Sequence, residues 1–311
     1  MLTWPPVQRP VVIVNPRSRG GLSQRRWAAL LGPLTDGLGP VDVRFTEAQG
    51  HGRRIAREEA TAGRSLIVAM GGDGTISEVA DGILAAGGRS ELGIIPRGTG
   101  GDFRRTLDLD HDLGQAALRI REKPARLIDA GRVSFIADDG SQAERHFVNV
   151  VSFGFSSDVA RRANASSKRL GGRVAFLSAT VRSLVGYDNV DVVFSLDDQP
   201  ERRMNVLLAA VGNGRFFGGG MKICPEALLD DGLFDLVTVG NLGRGGVMAN
   251  IHRIYSGNHL TMKEVQGTRL RRMKVAPADR GAKIPLEVDG ETPGYLPASF
   301  ELLPGALRVR A

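Results

Sequence analysis

Short apolar runs alternate with stretches of helical periodicity up to about residue 126, and the clearest run is residues 65–70, SLIVAM. It has the length of a buried parallel strand and stops at Gly71-Gly72-Asp73-Gly74. Beyond that tetrad, Ile76, Val79, Ala80, Ile83 and Leu84 recur at helical spacing, so the period changes from strand to amphipathic helix, which Gly87-Gly88 ends. The same unit repeats. Strands are expected at 11–14, 41–46 and 92–96, and helices at 23–31, 52–62 and 113–121. Such alternation indicates βαβ units in a parallel sheet covered on both faces, a Rossmann-like α/β domain.

From residue 127 the pattern turns β-rich. Alternating strands at 132–137 and 146–153 flank Asp138-Asp139-Gly140, and those at 190–196 and 204–211 flank Asp197-Asp198-Gln199-Pro200, giving two hairpins. Residues 158–185 and 246–255 read as helical, and further strands are expected at 233–239, 266–275 and 284–288. Consecutive antiparallel strands after a βαβ half predict a C-terminal antiparallel β-sandwich. The division expected is 1–130 together with a returning segment at 297–311, whose strand 306–310 goes back to the first domain, and 131–296 for the sandwich.

Composition adds limits. With 311 residues, 42% hydrophobic and 24% charged, the chain has the make-up of an ordinary globular protein with room for two cores. The lone Cys224 excludes a disulfide framework and fits a reducing compartment. No run approaches the ~18 apolar residues of a spanning helix, and the first residues lack a signal-peptide layout, so a cytoplasmic protein is expected. The net charge of +7 favours an anionic partner. Aromatics at 5% do not interleave with basic runs, which argues against nucleic acid. Basic clusters at Arg161-Arg162, Lys168-Arg169-Arg173 and Arg269-Arg271-Arg272-Lys274 are either solvated faces or a means of attraction to an anionic membrane. Homodimerisation stays open.

A glycine turn between a strand and a helix gathers backbone N–H groups and the positive end of a helix dipole, which suits phosphate. Asp73 is odd beside an anion: either it caps the helix, or a cation lies between it and the phosphate, as in magnesium-nucleotide chemistry. The strand at 92–96 also runs into glycines and an aspartate, in Pro96-Arg97-Gly98-Thr99-Gly100-Gly101-Asp102. There is no Walker A loop, no G-x-G-x-x-G, no H-E-x-x-H and no G-x-S-x-G. What remains is a set of acidic loop residues, Asp73, Asp102, Asp129, Asp230, Asp231, Asp289 and Glu291, of which those among glycines stand out because glycine permits close approach to a ligand.

These segments resemble, in order along the chain, the diacylglycerol kinase catalytic family, which includes bacterial soluble diacylglycerol kinases and sphingosine kinases: NPRS at 15–18, GGDGTISEV at 71–79, LGIIPRGTGGDF at 92–103, LIDAG at 127–131, FVNVVSFGF at 147–155, NGRFFGGGMKICPEALLDDGLFDL at 213–236 and VDGE at 288–291. The resemblance implies a lipid kinase using ATP and magnesium in a cleft between the two domains, acting on a membrane lipid, most simply diacylglycerol, as a peripheral protein at the inner membrane face. It implies that Asn15, Thr46, Gly71, Gly72, Asp73, Gly74, Thr75, Ile76, Ser77, Gly98, Thr99 and Gly100 hold the nucleotide. Asp73, Asp102 and Asp129 would arrange the catalytic magnesium, and Asp231 with the carbonyls of Leu228 and Leu233 a second, structural one. Glu291 would be the general base, with Asp73 the competing candidate. NAD kinase shares GGDGT but not the later segments. Two departures stand out: Gly101 replaces the family's usual asparagine, and Arg19 a common glycine.

Overall fold

The computed structural model describes residues 9–18, 21, 24–155 and 189–311. Arg19, the helical stretch expected at 158–185 and the basic residues Arg161, Arg162, Lys168, Arg169 and Arg173 lie outside them. The chain forms two compact units, Met1–Ile128 with Gly305–Ala311, and Asp129–Pro304.

In the first unit, β1 (Val11–Val14), β2 (Asp42–Phe45), β3 (Leu66–Gly71) and β4 (Glu91–Pro96) form a parallel sheet in the order β4-β3-β1-β2. Every residue of β1 and β3 is buried, as a strand covered on both faces requires. Helices α1 (Gln24–Leu38) and α5 (Leu113–Glu122) enclose one core with Val12, Val14, Val68 and Met70. α2 (His51–Thr61) and α3 (Asp73–Ala85) pack on each other and on β1 and β3, and a short α4 (Asp102–Thr106) follows β4. α1 runs past Gly32-Pro33 because Leu34 and Leu38 are buried in that core, and core burial outweighs the cost of an interior proline.

The second unit is antiparallel. Its strands are β5 (Arg126–Ala137), β6 (Gln142–Phe147), β7 (Val150–Gly154), β8 (Val190–Leu196), β9 (Arg202–Val206), β10 (Leu208–Gly212), β11 (Phe234–Val239), β12 (Val265–Leu270), β13 (Arg272–Pro277), β14 (Pro285–Val288) and β15 (Glu291–Arg310). β12-β11-β10-β7-β14-β15 form one run, and β13 joins β15 to the β8–β9 hairpin. Inward-facing residues from both sets, among them Phe135, Phe147, Phe153, Phe194, Phe234 and Phe300, fill a single sandwich core. The outer face of β10–β12 is covered by α6 (Arg244–Ser256) and a 3-10 turn at Asn258–Thr261. The end of β15 pairs in parallel with β4 through Arg308↔Glu91, so the last residues complete the first unit's sheet. There Arg310 forms an ion pair with Glu91 and donates to the Lys123 carbonyl at 2.9 Å.

Three expected strands are each split in two, and the breaks have local causes. The run 146–153 is interrupted where the Asp289 carboxylate accepts the amides of Val148, Asn149 and Val150 at 2.9–3.1 Å. The run 266–275 breaks at Arg271, where one Asp197 oxygen accepts the amides of Arg271 and Arg272 at 3.0 and 2.7 Å. The run 204–211 breaks at Leu207, whose carbonyl receives the Phe155 amide beside Gly154, a residue at φ +90°.

α2 and α3 approach so closely that a Cβ on Gly82 would lie 2.3 Å from the Arg53 carbonyl oxygen. Gly82→Ala is therefore expected to cost on the order of 1–3 kcal/mol by overpacking. Thermal denaturation checks this, and an unchanged midpoint would contradict it.

Candidate functional site

α3 is the element around which the first unit's polar loops are built. β3 delivers the chain to Gly72, which precedes the helix in an extended conformation and gives it no side-chain cap. The amides of Thr75 and Ile76 return to the Gly72 carbonyl at 2.9 and 3.1 Å. Asn15, at the end of β1, donates from Nδ2 to Thr75 Oγ1 at 3.3 Å, so the loop after β1 meets the same turn. The loop after β4 approaches from the other side: a Cβ on Gly98 would lie 2.5 Å from Gly72 Cα, and one on Gly100 2.8 Å from Asp73 Oδ2. Glycine at 72, 98 and 100 is what lets the two turns touch.

Asp73 closes this contact. Its two oxygens accept the amides of Gly101 at 2.7 Å and Phe103 at 3.0 Å, so the carboxylate caps α4 across the loops rather than its own helix. Gly101 sits at φ +67°, ψ 38°, the left-handed region that glycine and asparagine occupy most readily. The exchange of asparagine for glycine therefore keeps the backbone conformation and loses only the side-chain amide. Asp102 is buried and receives Arg105 Nη1 at 2.9 Å, and the same Arg105 nitrogen reaches the Gly100 carbonyl at 2.6 Å.

One residue that the motif reading passed over does for α2 what Asp73 does for α4. Glu78, buried on α3, accepts the amides of Gly50 and Gly52 at 2.7 and 2.8 Å and so holds the start of α2. The signal was an acidic side chain among the buried positions of a helix. Next to it, Arg53 Nε and Asp81 Oδ2 pair at 2.5 Å. Thr46 is buried at the end of β2, with its amide on the Val14 carbonyl. Ile76 is in the core, Ser77 is half-buried, and Gly74 and Thr99 are exposed. α3 thus carries the carboxylates for two neighbouring helix starts, while its own start carries no side-chain cap.

The remaining candidates belong to the second unit. Asp129 is buried; its amide donates to the Leu229 carbonyl at 2.6 Å and its Oδ2 accepts the Gly232 amide at 2.7 Å. Asn213, fully buried and likewise passed over, donates to the carbonyls of Asp129 and Val148. Asp231 Oδ1 accepts the Leu233 amide, whereas Asp231 Oδ2 and Asp235 Oδ2 are buried with no hydrogen-bond partner. Arg269 stands 3.7 Å from each carboxylate. Burial pushes the Asp235 carboxyl up to about 6; Arg269 opposes that, and Asp231 and Glu226 add to it. Leu228 is exposed.

Glu291 opens β15 directly after a two-residue turn. Asp289 and Gly290 have φ of +47° and +90°, and Val288 pairs with Glu291, the geometry of a type I′ hairpin. The Asp289 carboxylate, two residues before Glu291, ties this turn to Val148, Asn149 and Val150 and so holds the backbone from which Glu291 projects. Behind α6 the outer face of the sheet leaves a cavity of about 100 Å³, lined by Phe155, Phe217, Met221, Ile251, Ile254 and His259 among others. Its wall is almost wholly apolar.

Residues 9–133 match the diacylglycerol kinase catalytic domain, and residues 149–311 match the YegS C-terminal NAD kinase beta sandwich-like domain. A probable lipid kinase YegS-like of Pseudomonas aeruginosa is 32% identical over 279 residues, covering 86% of this chain and 83% of that protein. The chain belongs to the YegS-like lipid kinase family. A diacylglycerol kinase of Bacillus subtilis is 27% identical over 295 residues, covering 94% of this chain and 93% of that one. Among solved structures, a putative diacylglycerol kinase from Bacillus anthracis str. Sterne superposes with a TM-score of 0.76 at 25% identity, covering 97% of this chain and 96% of that one. As a lipid kinase, the chain is an enzyme that uses ATP.

Removing the Asp289 carboxylate strands three backbone amides, so Asp289→Ala is expected to destabilise the second unit by on the order of 2 kcal/mol or more. Chemical denaturation reads this, and a loss below a few tenths would show that water replaces the carboxylate.

Proposed function

We propose that this lipid kinase transfers the γ-phosphate of ATP to the free hydroxyl of diacylglycerol, giving phosphatidic acid. The observation that carries the nucleotide half is the contact of the two glycine turns at the uncapped start of α3, where backbone amides and the positive helix end favour phosphate. Asn15, Thr46, Gly71 to Ser77 and Gly98 to Gly100 are the residues assigned to the nucleotide. Ile76 serves through its backbone, because its side chain is in the core. The lipid half is supported by family membership and by the apolar cavity of the second unit, which has room for a few methylene groups of an acyl tail.

Glu291 is the proposed general base. Its carboxylate takes the proton of the lipid hydroxyl as that oxygen bonds to the γ-phosphorus and the bond to the ADP oxygen breaks. Asp73 is the weaker candidate for this step, because both its oxygens already accept backbone amides.

Magnesium, when bound, would offset charge on the phosphate oxygens. Asp73, Asp102 and Asp129 are the carboxylates assigned to it. Since Asp73 and Asp102 are engaged by protein donors, contact through water fits them better than direct ligation. Asp231 Oδ2, which has no hydrogen-bond partner and stands 3.7 Å from Arg269, is, with Leu228 and Leu233 on either side in sequence, the group assigned to a separate structural cation. Among the described residues no helix is long and apolar enough to cross a membrane, and the enzyme is proposed to reach its lipid at the anionic cytoplasmic surface.

Labelled ATP and a panel of diacylglycerol, sphingosine, ceramide, phosphatidylglycerol and NAD, with magnesium present, test the assignment. Label is expected in phosphatidic acid, and label in another acceptor or in none would refute the substrate. Glu291→Gln is expected to lower kcat about 10²–10⁴-fold with ATP binding and stability intact; full activity would remove it from the reaction.

A metal that binds only the folded state raises stability, by about 2.7 kcal/mol at a hundredfold excess over Kd. Magnesium is accordingly expected to raise the thermal midpoint of the wild type and to have a smaller effect on Asp231→Asn. Equal shifts would contradict the second cation site.

A further inference from the structure

We propose that the exposed flank of α6 carrying Met248 and Tyr255 docks on an anionic lipid bilayer, so that the helix closing the apolar cavity is the one that meets the membrane. This rests on the lipid kinase reading above. α6 carries large apolar residues beyond its inward stripe. Val247, Ile251 and Ile254 turn inward and line the cavity together with Asn250. Met248 and Tyr255, at i and i+7 and about a quarter turn around the helix from that stripe, are 50% and 42% exposed, with the exposed His252 between them in sequence. A helix with one apolar face needs only a core; large apolar groups on its solvent face call for a second apolar environment.

The charge around the helix indicates which environment. Residues 241–263 contain Arg244, Arg253 and Lys263 and no acidic residue, although the chain as a whole carries 34; the first acidic residue after them, Glu264, lies 3.9 Å from the Lys263 ammonium. Lys263, just past the 3-10 turn that follows α6, has a side chain 91% exposed. Basic side chains beside exposed Met and Tyr match the two layers of a bilayer surface, anionic headgroups and acyl boundary.

The start of α6 is also rich in glycine, of which Gly246 packs on Leu242. Gly243 gives no side-chain cap, and Gly243 and Gly245 meet nothing within 4 Å where a Cβ would stand, so packing does not demand them. Glycine there weakens the first helical turn.

Flotation of the full-length protein with vesicles of phosphatidylcholine, with and without phosphatidylglycerol, tests the docking. Wild type is expected to float with the anionic vesicles and much less with the neutral ones. The Met248→Ser/Tyr255→Ser double variant, and separately Lys263→Glu, are expected to bind about tenfold more weakly. Both should keep wild-type turnover of dioctanoylglycerol in detergent micelles and the wild-type melting temperature. Wild-type binding by both variants, or equal binding to neutral vesicles, would overturn the proposal. A dimer that the double variant converts to monomer would overturn it in favour of a second copy as occupant. If wild type floats with anionic vesicles but phosphorylates no lipid, the docking stands and the proposed function fails.

Discussion

The two glycine turns of the first unit can touch only because Gly72 and Gly98 lack side chains, and such an approach of bare backbone leaves amides that must find acceptors. Asp73 supplies them. Its carboxylate, the first side chain of α3, takes two amides of the opposite turn and so ties the loop after β4 to the start of α3. Glu78, further along the same helix, does this for the loop between β2 and α2. Charge-assisted bonds of this kind are stronger than neutral ones, and α3 is anchored by the contact of Gly82 with α2 and by the Arg53–Asp81 pair. The loops that the proposed nucleotide site uses are therefore positioned by one helix.

The second unit repeats the device with different residues. Asp289 collects three amides and Asp197 two, each where a strand breaks, and Asp129 takes that of Gly232 in the loop before β11. An aspartate reaches neighbouring amides with little loss of rotamer freedom, and so it can stabilise an irregular backbone that no strand partner serves. In a β-sandwich these irregular points are where side chains such as Glu291 can be aimed away from the alternating core pattern.

Much of this architecture was legible in the sequence. The parallel strands are continuous apolar runs, and the helices between them keep their period, so βαβ alternation could be read directly. The strand breaks were not legible, because they depend on carboxylates distant in sequence: Asp289 lies 141 positions from Val148, and Asp197 lies 74 from Arg271. Local pattern carries no trace of such partners. The end of α1 was missed for the opposite reason, since Gly32-Pro33 is a local stop signal that the burial of Leu34 and Leu38 overrides. In the candidate site, the glycines and aspartates were visible as motifs, but not their division of labour. Spacing left Asp73 as a cap or a cation partner; its place between two loops shows that it caps a helix other than its own. Glu78 and Asn213 escaped because a buried polar residue declares its partner only in three dimensions.

Amide-resolved hydrogen exchange tests most directly whether α3 organises the first unit. The amides of Gly50, Gly52, Gly101 and Phe103 are expected to exchange as slowly as those of β3, with Asp73→Asn releasing Gly101 and Phe103 alone and Glu78→Gln releasing Gly50 and Gly52 alone. Rapid exchange of these four amides in the wild type, or no selective release in the variants, would contradict it.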